Sequence, residues 1–337
     1  MFKHKLAFAS LLVLSGCGVS REAMLALENM QILENNTKPG LSYTSVSGSG
    51  NDVTLKGVEL KAPADYMVAI AGLGTDLGPD GGEAAGLPDP NAPPAVVARA
   101  ESMTFKGLTM KDGKPTVRDI RLNNITPTIP LGDVTLTFGT LGLDGMNEAT
   151  GTFIAGAIGM DEALTPPPYE QWTFGKAEIG GIKLAGMIPQ DEGEAGNFAV
   201  ELGELSLGDF TSTKLGEAKL AGLKGALNVP GMVAIAGTFD FGTLTVSDIN
   251  TGFLGKAFMA GLASGMNPEE KVDFTEIYRD FTSPLDGGVD RVDWTGMAAN
   301  VSGLKFDTSE MHAKVTRNAD GVAIASDLPR FSMKMVS

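Results

Sequence analysis

The chain is poor in the residues that most chemistry needs. Its 337 residues include one cysteine, two histidines and two tryptophans. A lone cysteine closes no intramolecular disulfide. A Cys/His zinc centre takes three or four ligands. Beyond residue 16 the chain offers only Cys17 and His312, so no metal centre or Cys–His catalytic pair is expected. His312 sits in an alternating stretch and reads as an exposed or satisfied strand residue. There is no Gly-x-Ser-x-Gly elbow for a serine hydrolase. Gly252-Phe-Leu-Gly255-Lys256 lacks the spacing and the Ser/Thr of a phosphate loop, and Gly72-Leu-Gly74 lacks the third glycine of a dinucleotide turn. Aromatics at 7% leave little for sugar stacking. Positive charge is also short: 26 Lys+Arg against 41 Asp+Glu gives −15 and a pI near 4.6, which repels phosphate and excludes a nucleic-acid partner. Acidic groups at Asp76, Asp80, Glu83 and Asp89, and at Asp286, Asp290 and Asp293, do not follow a calcium-loop pattern and read as solvated loops. The expectation is a non-enzymatic protein without cofactor or metal. A hydrolase built on two carboxylates stays open, because no spacing selects the pair.

What is present is apolar bulk and glycine. Hydrophobic residues make up 43%, and glycine is 44 of 337, nearly twice the usual ~7%. A chain this long can bury a large core. Glycine at that density disfavours a mostly helical protein, since each interior helical glycine costs about 1 kcal/mol.

The N-terminus carries its own signal. Lys3, His4 and Lys5 make a positive segment, and Leu6 to Leu14 an apolar run too short to span a bilayer. The run ends Leu14-Ser15-Gly16-Cys17. Small residues followed directly by Cys form a lipobox, and the segment resembles the signal peptide of the bacterial lipoprotein class. That resemblance implies cleavage after residue 16, acylation of Cys17 and a palmitate-type anchor. Gly18 at the next position implies sorting to the outer membrane, facing the periplasm. An ordinary signal peptide with an incidental cysteine, or a short anchor helix, is the alternative. Processing takes away Lys3 and Lys5, so the balance becomes 24 minus 41, or −17.

Residues 17–40 then read as the lipidated start and one amphipathic helix. Ser20 is the N-cap, and Ala23, Leu27, Met30 and Leu33/Glu34 lie on one face. From residue 41 the period changes to 2. A six-residue pattern, apolar-x-apolar-x-(Gly/Asp)-apolar, starts at 53, 103, 141, 177, 205, 218, 244 and 299. Its fifth residues are Gly57, Gly107, Gly145, Gly181, Asp209, Gly222, Asp248 and Gly303. Strict alternation would put the third apolar residue at the fifth position. It arrives one residue late, so the strand needs a bulge or bend there to keep one face inward. Five copies carry a further glycine two residues before the first apolar position, at Gly139, Gly175, Gly203, Gly216 and Gly242.

Residues 41–337 are thus expected to form a single β-rich domain. The spacing predicts a long curved antiparallel sheet, shaped as a half-pipe or open barrel-like groove, with the N-terminal helix and two short Gly/Ala-rich helices. Those helices are Gly151–Met160 and Gly252–Met266. Each follows a Phe-Gly-Thr-Leu strand, which suggests an internal duplication of about 131–187 and 231–281. Leu254, Phe258, Leu262 and Met266 form an apolar face on the second helix, which reads as covering the sheet or as inserting into a membrane. Residues 74–95 are a Gly/Pro/acid-rich loop, and 165–171 a stiff Pro-rich connector.

The opening helix and Leu41 to Leu60, with the Gly-punctuated strands that follow, resemble AsmA-like and related periplasmic β-groove families of Gram-negative bacteria. The resemblance covers about forty residues and brings no active-site motif. The lipobox departs from the inner-membrane helix usual in the AsmA group. The resemblance implies a curved sheet, apolar inside, able to shelter acyl chains. Together with the anchor it gives the expectation of a lipid-binding, lipid-transfer or outer-membrane-maintenance lipoprotein, its partners the membrane through Cys17 and a lipid ligand. A lipoprotein that docks another envelope protein without a ligand cavity is the second class.

Overall fold

The computed structural model describes residues 18–34, 39–62, 94–128, 134–159, 164–188, 195–230, 235–251, 275, 288–318, 321–327 and 329–335. The chain is mainly β: among the described residues 19 strands form a large mixed β-sheet that does not close on itself, and two short ones, Thr109–Lys111 and Lys114–Thr116, pair apart from it. It divides into two compact units: residues 1–130 with 151–166, and residues 131–150 with 167–337.

In the first unit a helix, Arg21–Asn29, is followed by β1 (Leu33–Glu34), β2 (Gly40–Tyr43), β3 (Ser45–Ser49), β4 (Asp52–Ala62), β5 (Ala95–Lys106), β6 (Thr109–Lys111), β7 (Lys114–Thr116) and β8 (Asp119–Pro127). Ser20 caps the helix: its Oγ accepts from the Ala23 N–H at 3.0 Å. Ser20→Ala is therefore expected to cost the first unit about 1–2 kcal/mol, read as a lowered thermal midpoint; an unchanged midpoint would show the cap to be dispensable.

The helix stops short of Glu34, where the apolar spacing alone would carry it. Gln31 turns left-handed at φ 55°. The Ile32 and Gln31 N–H groups bond back to the carbonyls of Leu27 and Glu28, a Schellman closure with Ile32 and Leu27 both buried. Leu33 and Glu34 are released to pair with β2 in parallel. This is why the sheet is mixed rather than purely antiparallel.

The remaining ladder is antiparallel: β4 pairs with β2, β3 and β5, and β5 with β8. The helix lays Ala23, Ala26 and Leu27 into a core that includes Val53, Leu55, Val58, Met103, Phe105, Leu108 and Ile120, each at most 6% exposed. Burying each large side chain of this set is worth about 1.5–3 kcal/mol. A second helix, Glu148–Ile158, realises the Gly/Ala-rich segment. In the first unit its Gly151 lies against the Val117 carbonyl with no room for a Cβ, and its Ala155 is fully buried.

The second unit holds β9 (Val134–Asp144), β10 (Phe174–Ile188), β11 (Gly196–Phe210), β12 (Lys214–Ala221), β13 (Lys224–Val229), β14 (Ile235–Asp240), β15 (Thr243–Asn250), β16 (Val289–Trp294), β17 (Ala298–Val301), β18 (Leu304–Thr308), β19 (Met311–Asn318), β20 (Gly321–Asp327) and β21 (Phe331–Met335). From β12 onward the strands come in pairs, and each pair runs on as one long strand against its neighbour. The result is an antiparallel meander.

The late apolar residue has a uniform cause. All eight fifth residues of the pattern have positive φ, from 53° at Asp209 to 84° at Gly303. No residue is inserted at the seven mid-chain bends. Gly180 pairs with Glu204 and Ile182 with Leu202, so register is constant across Gly181. The expected bulge is therefore a single left-handed residue that swaps which face the next side chain takes. The register shift in β4 lies at Leu60/Lys61, not at Gly57. Gly303 is a different case. With Ser302, also left-handed, it forms the two-residue hairpin between Val301 and Leu304.

The preceding glycines find their reason in the register. The pairings align Gly139, Gly181, Gly203, Gly222, Gly242 and Gly296 in one row across the strands. A second row holds Gly145, Gly175, Asp209, Gly216, Asp248 and Asp290. The backbones meet closely there. A Cβ on Gly181 would lie 3.1 Å from the Gly139 Cα, and one on Gly145 would lie 3.0 Å from the Gly175 nitrogen.

Candidate functional site

Between the two rows each strand contributes five residues. The second and fourth of these five on β9, and their equivalents on the neighbours, share one face. One line of directly paired residues runs Leu141, Ile179, Leu205, Leu220, Leu244, Trp294 and Met311. A second runs Leu143, Ala177, Leu207, Ala218, Val246, Val292 and Ala313. Beyond the first glycine row the face continues through Leu136, Leu184, Val200, Gly225, Phe239, Ala299 and Phe306. The Phe239 ring covers Gly225, leaving no space for a Cβ. Phe241 and Trp294 meet across the row at 5.3 Å between ring centroids.

This face is only half covered. Leu141, Leu205, Leu227, Ile235, Phe239 and Val301 are 38–42% exposed, and Phe331, Met333 and Met335 on β21 are 60–86% exposed. Large apolar residues exposed in such continuity make this face the candidate site.

The intervening residues face the other way and are polar. Glu204 accepts from Lys219 Nζ at 2.7 Å, Ser206 Oγ at 2.9 Å and Lys176 Nζ at 3.1 Å. These bonds, Lys219's foremost, hold its carboxyl down from 4.5 to about 2. A depressed carboxylate stabilises the fold above its ordinary pKa and loses that contribution as pH falls. Glu204→Gln is thus expected to be less stable than the parent at pH 7, with the gap closing between pH 4.5 and about 2. A gap that persists unchanged at pH 2 in thermal melts would assign the loss to packing instead.

On the same polar side lies a cavity of about 1160 Å³, lined in part by Lys214, Asp248, Asp290, Arg291, Asp293 and His312. Its charges are paired. Lys214 meets Asp248 at 2.5 Å and Arg291 meets Asp293 at 2.6 Å. His312 Nδ1 lies 2.7 Å from Asp293, and its Nε2 faces Glu310 at 3.7 Å. Asp293, chiefly through Arg291, is held below the usual carboxylate range, and His312, chiefly through Asp293, is raised. Several carboxylates do converge here, the feature that a hydrolase would need. Asp293, held as a carboxylate, has the charge state of a base or nucleophile rather than that of a general acid. His312 is half exposed and bonded, as its alternating stretch suggested.

Of the residues singled out in sequence, Leu14, Ser15, Gly16 and Cys17 lie outside the described residues, as do Leu254, Phe258, Leu262 and Met266. Two further bends lie outside the eight copies. Asn124 is left-handed at φ 50° in Ile120-Arg-Leu122-Asn-Asn124-Ile125, and Gly296 at φ 94° in Val292-Asp-Trp294-Thr-Gly296-Met297. The first needed Asn admitted beside Gly and Asp, since it too tolerates this conformation. The second carries the same spacing as the eight. Among the described residues no helix is long and apolar enough to cross a membrane, and no group of three or more His, Cys, Asp or Glu could hold a metal.

No protein-family model, curated protein or solved structure matches the chain.

Proposed function

We propose that this is a non-enzymatic envelope lipoprotein, processed before Cys17 and acylated there, whose second unit offers its apolar sheet face to lipid acyl chains. In this reading it sits at the outer membrane facing the periplasm and binds or transfers lipid, or maintains the membrane. One observation carries it: the paired lines from Leu141 to Met311 keep a single apolar face across seven strands, with Leu141, Leu205 and Phe239 about 40% exposed. Seven strands at ~4.8 Å spacing give a strip about 29 Å across, ample for the ~15 Å of one leaflet's hydrocarbon. The left-handed residues within the two rows would curve these strands into the half-pipe or open barrel-like groove.

The test is native mass spectrometry and lipid extraction of protein lacking residues 1–17, with titration of a fluorescent fatty acid. Co-purified lipid and saturable binding are expected. Leu205→Lys should weaken that binding at least tenfold while leaving the melt near that of the parent, because the site is already 39% exposed. Absence of both lipid and binding would sink the lipid reading.

The second reading, a lipoprotein that docks another envelope protein, is favoured by β21. It carries Phe331, Met333 and Met335 on its surface and pairs only with β18 among the described strands. A strand of that kind invites a partner strand. Crosslinking from Met333 to a distinct envelope protein, with no lipid bound, would select it.

A further inference from the structure

The described residues that follow Cys17 are fastened to the fold. The Gly18 carbonyl accepts from the Gly50 N–H at 2.8 Å, and the Ser20 N–H donates to the Gly50 carbonyl at 2.6 Å. Val19 bridges Gly50 in parallel. The Ser20 Oγ donates to Asn51 Oδ1 at 2.5 Å while it caps the helix. Gly50 and Asn51 form the two-residue turn between β3 and β4, with Ser49 opposite Asp52. Gly50 is left-handed at φ 59°, as the first central position of such a hairpin requires. Cys17 is one peptide from Gly18, so their Cα atoms are about 3.8 Å apart. No linker intervenes between the anchor position and this hairpin.

Resting on the lipoprotein reading, we propose that the tip of the β3–β4 hairpin, Ser47 to Asn51, is the membrane-apposed surface of the first unit. Acyl chains on Cys17 enter the bilayer at once, and the fastening at Gly18–Ser20 brings the tip to the headgroups with them. The tip suits that place. Ser47-Gly-Ser-Gly-Asn51 carries no charge, in a chain that is −17 after processing, as counted from the sequence. Serine, asparagine and backbone groups hydrogen-bond headgroups without the repulsion that a carboxylate meets at an anionic surface. Ser47, Gly48, Ser49 and Gly50 are all exposed.

The test uses the full, acylated chain in vesicles of phosphatidylethanolamine and phosphatidylglycerol. A fluorophore is placed at Ser49→Cys or at Arg99→Cys. Arg99 is paired with Glu59, seven residues along β4 from Asp52, or about 23 Å. A headgroup nitroxide lipid should quench the Ser49 probe at least threefold more than the Arg99 probe. A twenty-residue Gly/Ser insert between Cys17 and Gly18 should abolish that difference while acyl labelling persists. Equal quenching at both positions in labelled protein would overturn the proposal and leave the anchor reading intact. Absence of acyl label on the parent chain would overturn both.

Discussion

Gly242→Ala is expected to lower the stability of the second unit by about 2–4 kcal/mol, a drop of roughly 5–15 °C in thermal midpoint for a body of this size. Two costs add. Gly242 is left-handed at φ 71°, and a Cβ in that conformation costs about 1–2 kcal/mol. That Cβ would also fall inside contact distance of the Gly296 carbonyl oxygen and lie 2.5 Å from Thr295 Oγ1. The carbonyl belongs to backbone of the neighbouring strand and cannot swing aside as a side-chain end could. Relief requires the strands to separate where Thr243 N–H donates to Thr295 Oγ1 and the Thr295 N–H to the Thr243 carbonyl. Gly208→Ala is the control: its φ is not left-handed and its nearest neighbour is 3.9 Å away, so a change within about 0.5 kcal/mol is expected. A Gly242→Ala protein as stable as the parent would show that the row is not a close-approach device.

Cys17→Ser is expected to move the protein from the membrane fraction to the soluble fraction and to abolish incorporation of labelled palmitate. Each buried acyl methylene contributes about 0.8 kcal/mol, and stable attachment takes more than one chain. Serine has no thiol to acylate. The −17 balance after processing gives the body no electrostatic hold on anionic lipid. A variant that remains membrane-bound would show attachment by another route and remove the basis of the anchor reading.

How much of this was readable beforehand depends on the range of the interaction. The left-handed residues are local events. Val53-Thr-Leu55-Lys-Gly57-Val58 announces its bend because Val58 arrives one residue late, and Gly57 is indeed left-handed. The N-cap at Ser20 is equally local. The helix end is not: the apolar spacing runs on to Glu34, and only the closure at Gln31 stops it. Ser302-Gly303 fits the bend pattern and a hairpin turn equally well, and pairing of Val301 with Leu304 decides. The least legible element was why Gly139, Gly175, Gly203, Gly216 and Gly242 precede their copies of the pattern. Each answers a residue on another strand, so its meaning needs a register that no single segment contains. For the site, the apolar lines were foreseen as a face, but not their exposure, which depends on what lies above them. Lys176 and Lys219 reach Glu204, and His312 reaches Asp293, from 15 to 28 positions away, and no short pattern points to these pairs.

The glycine rows also bear on how the meander finds its pairing. A sheet with one apolar face resists a slip of one residue, which would turn its side chains to the wrong side, but a slip of two restores every side chain to its own face. Hydrophobicity alone cannot tell the correct alignment from that near miss. The rows can. A two-residue slip between β10 and β11 would set Gly181 against Leu205 or Glu201 instead of Gly203, and the close backbone approach would meet a Cβ. The two rows thus act as alignment marks, six residues apart along β9, β10, β11, β12, β15 and β16, and a single-residue deletion between them would put one mark out of line with its neighbours.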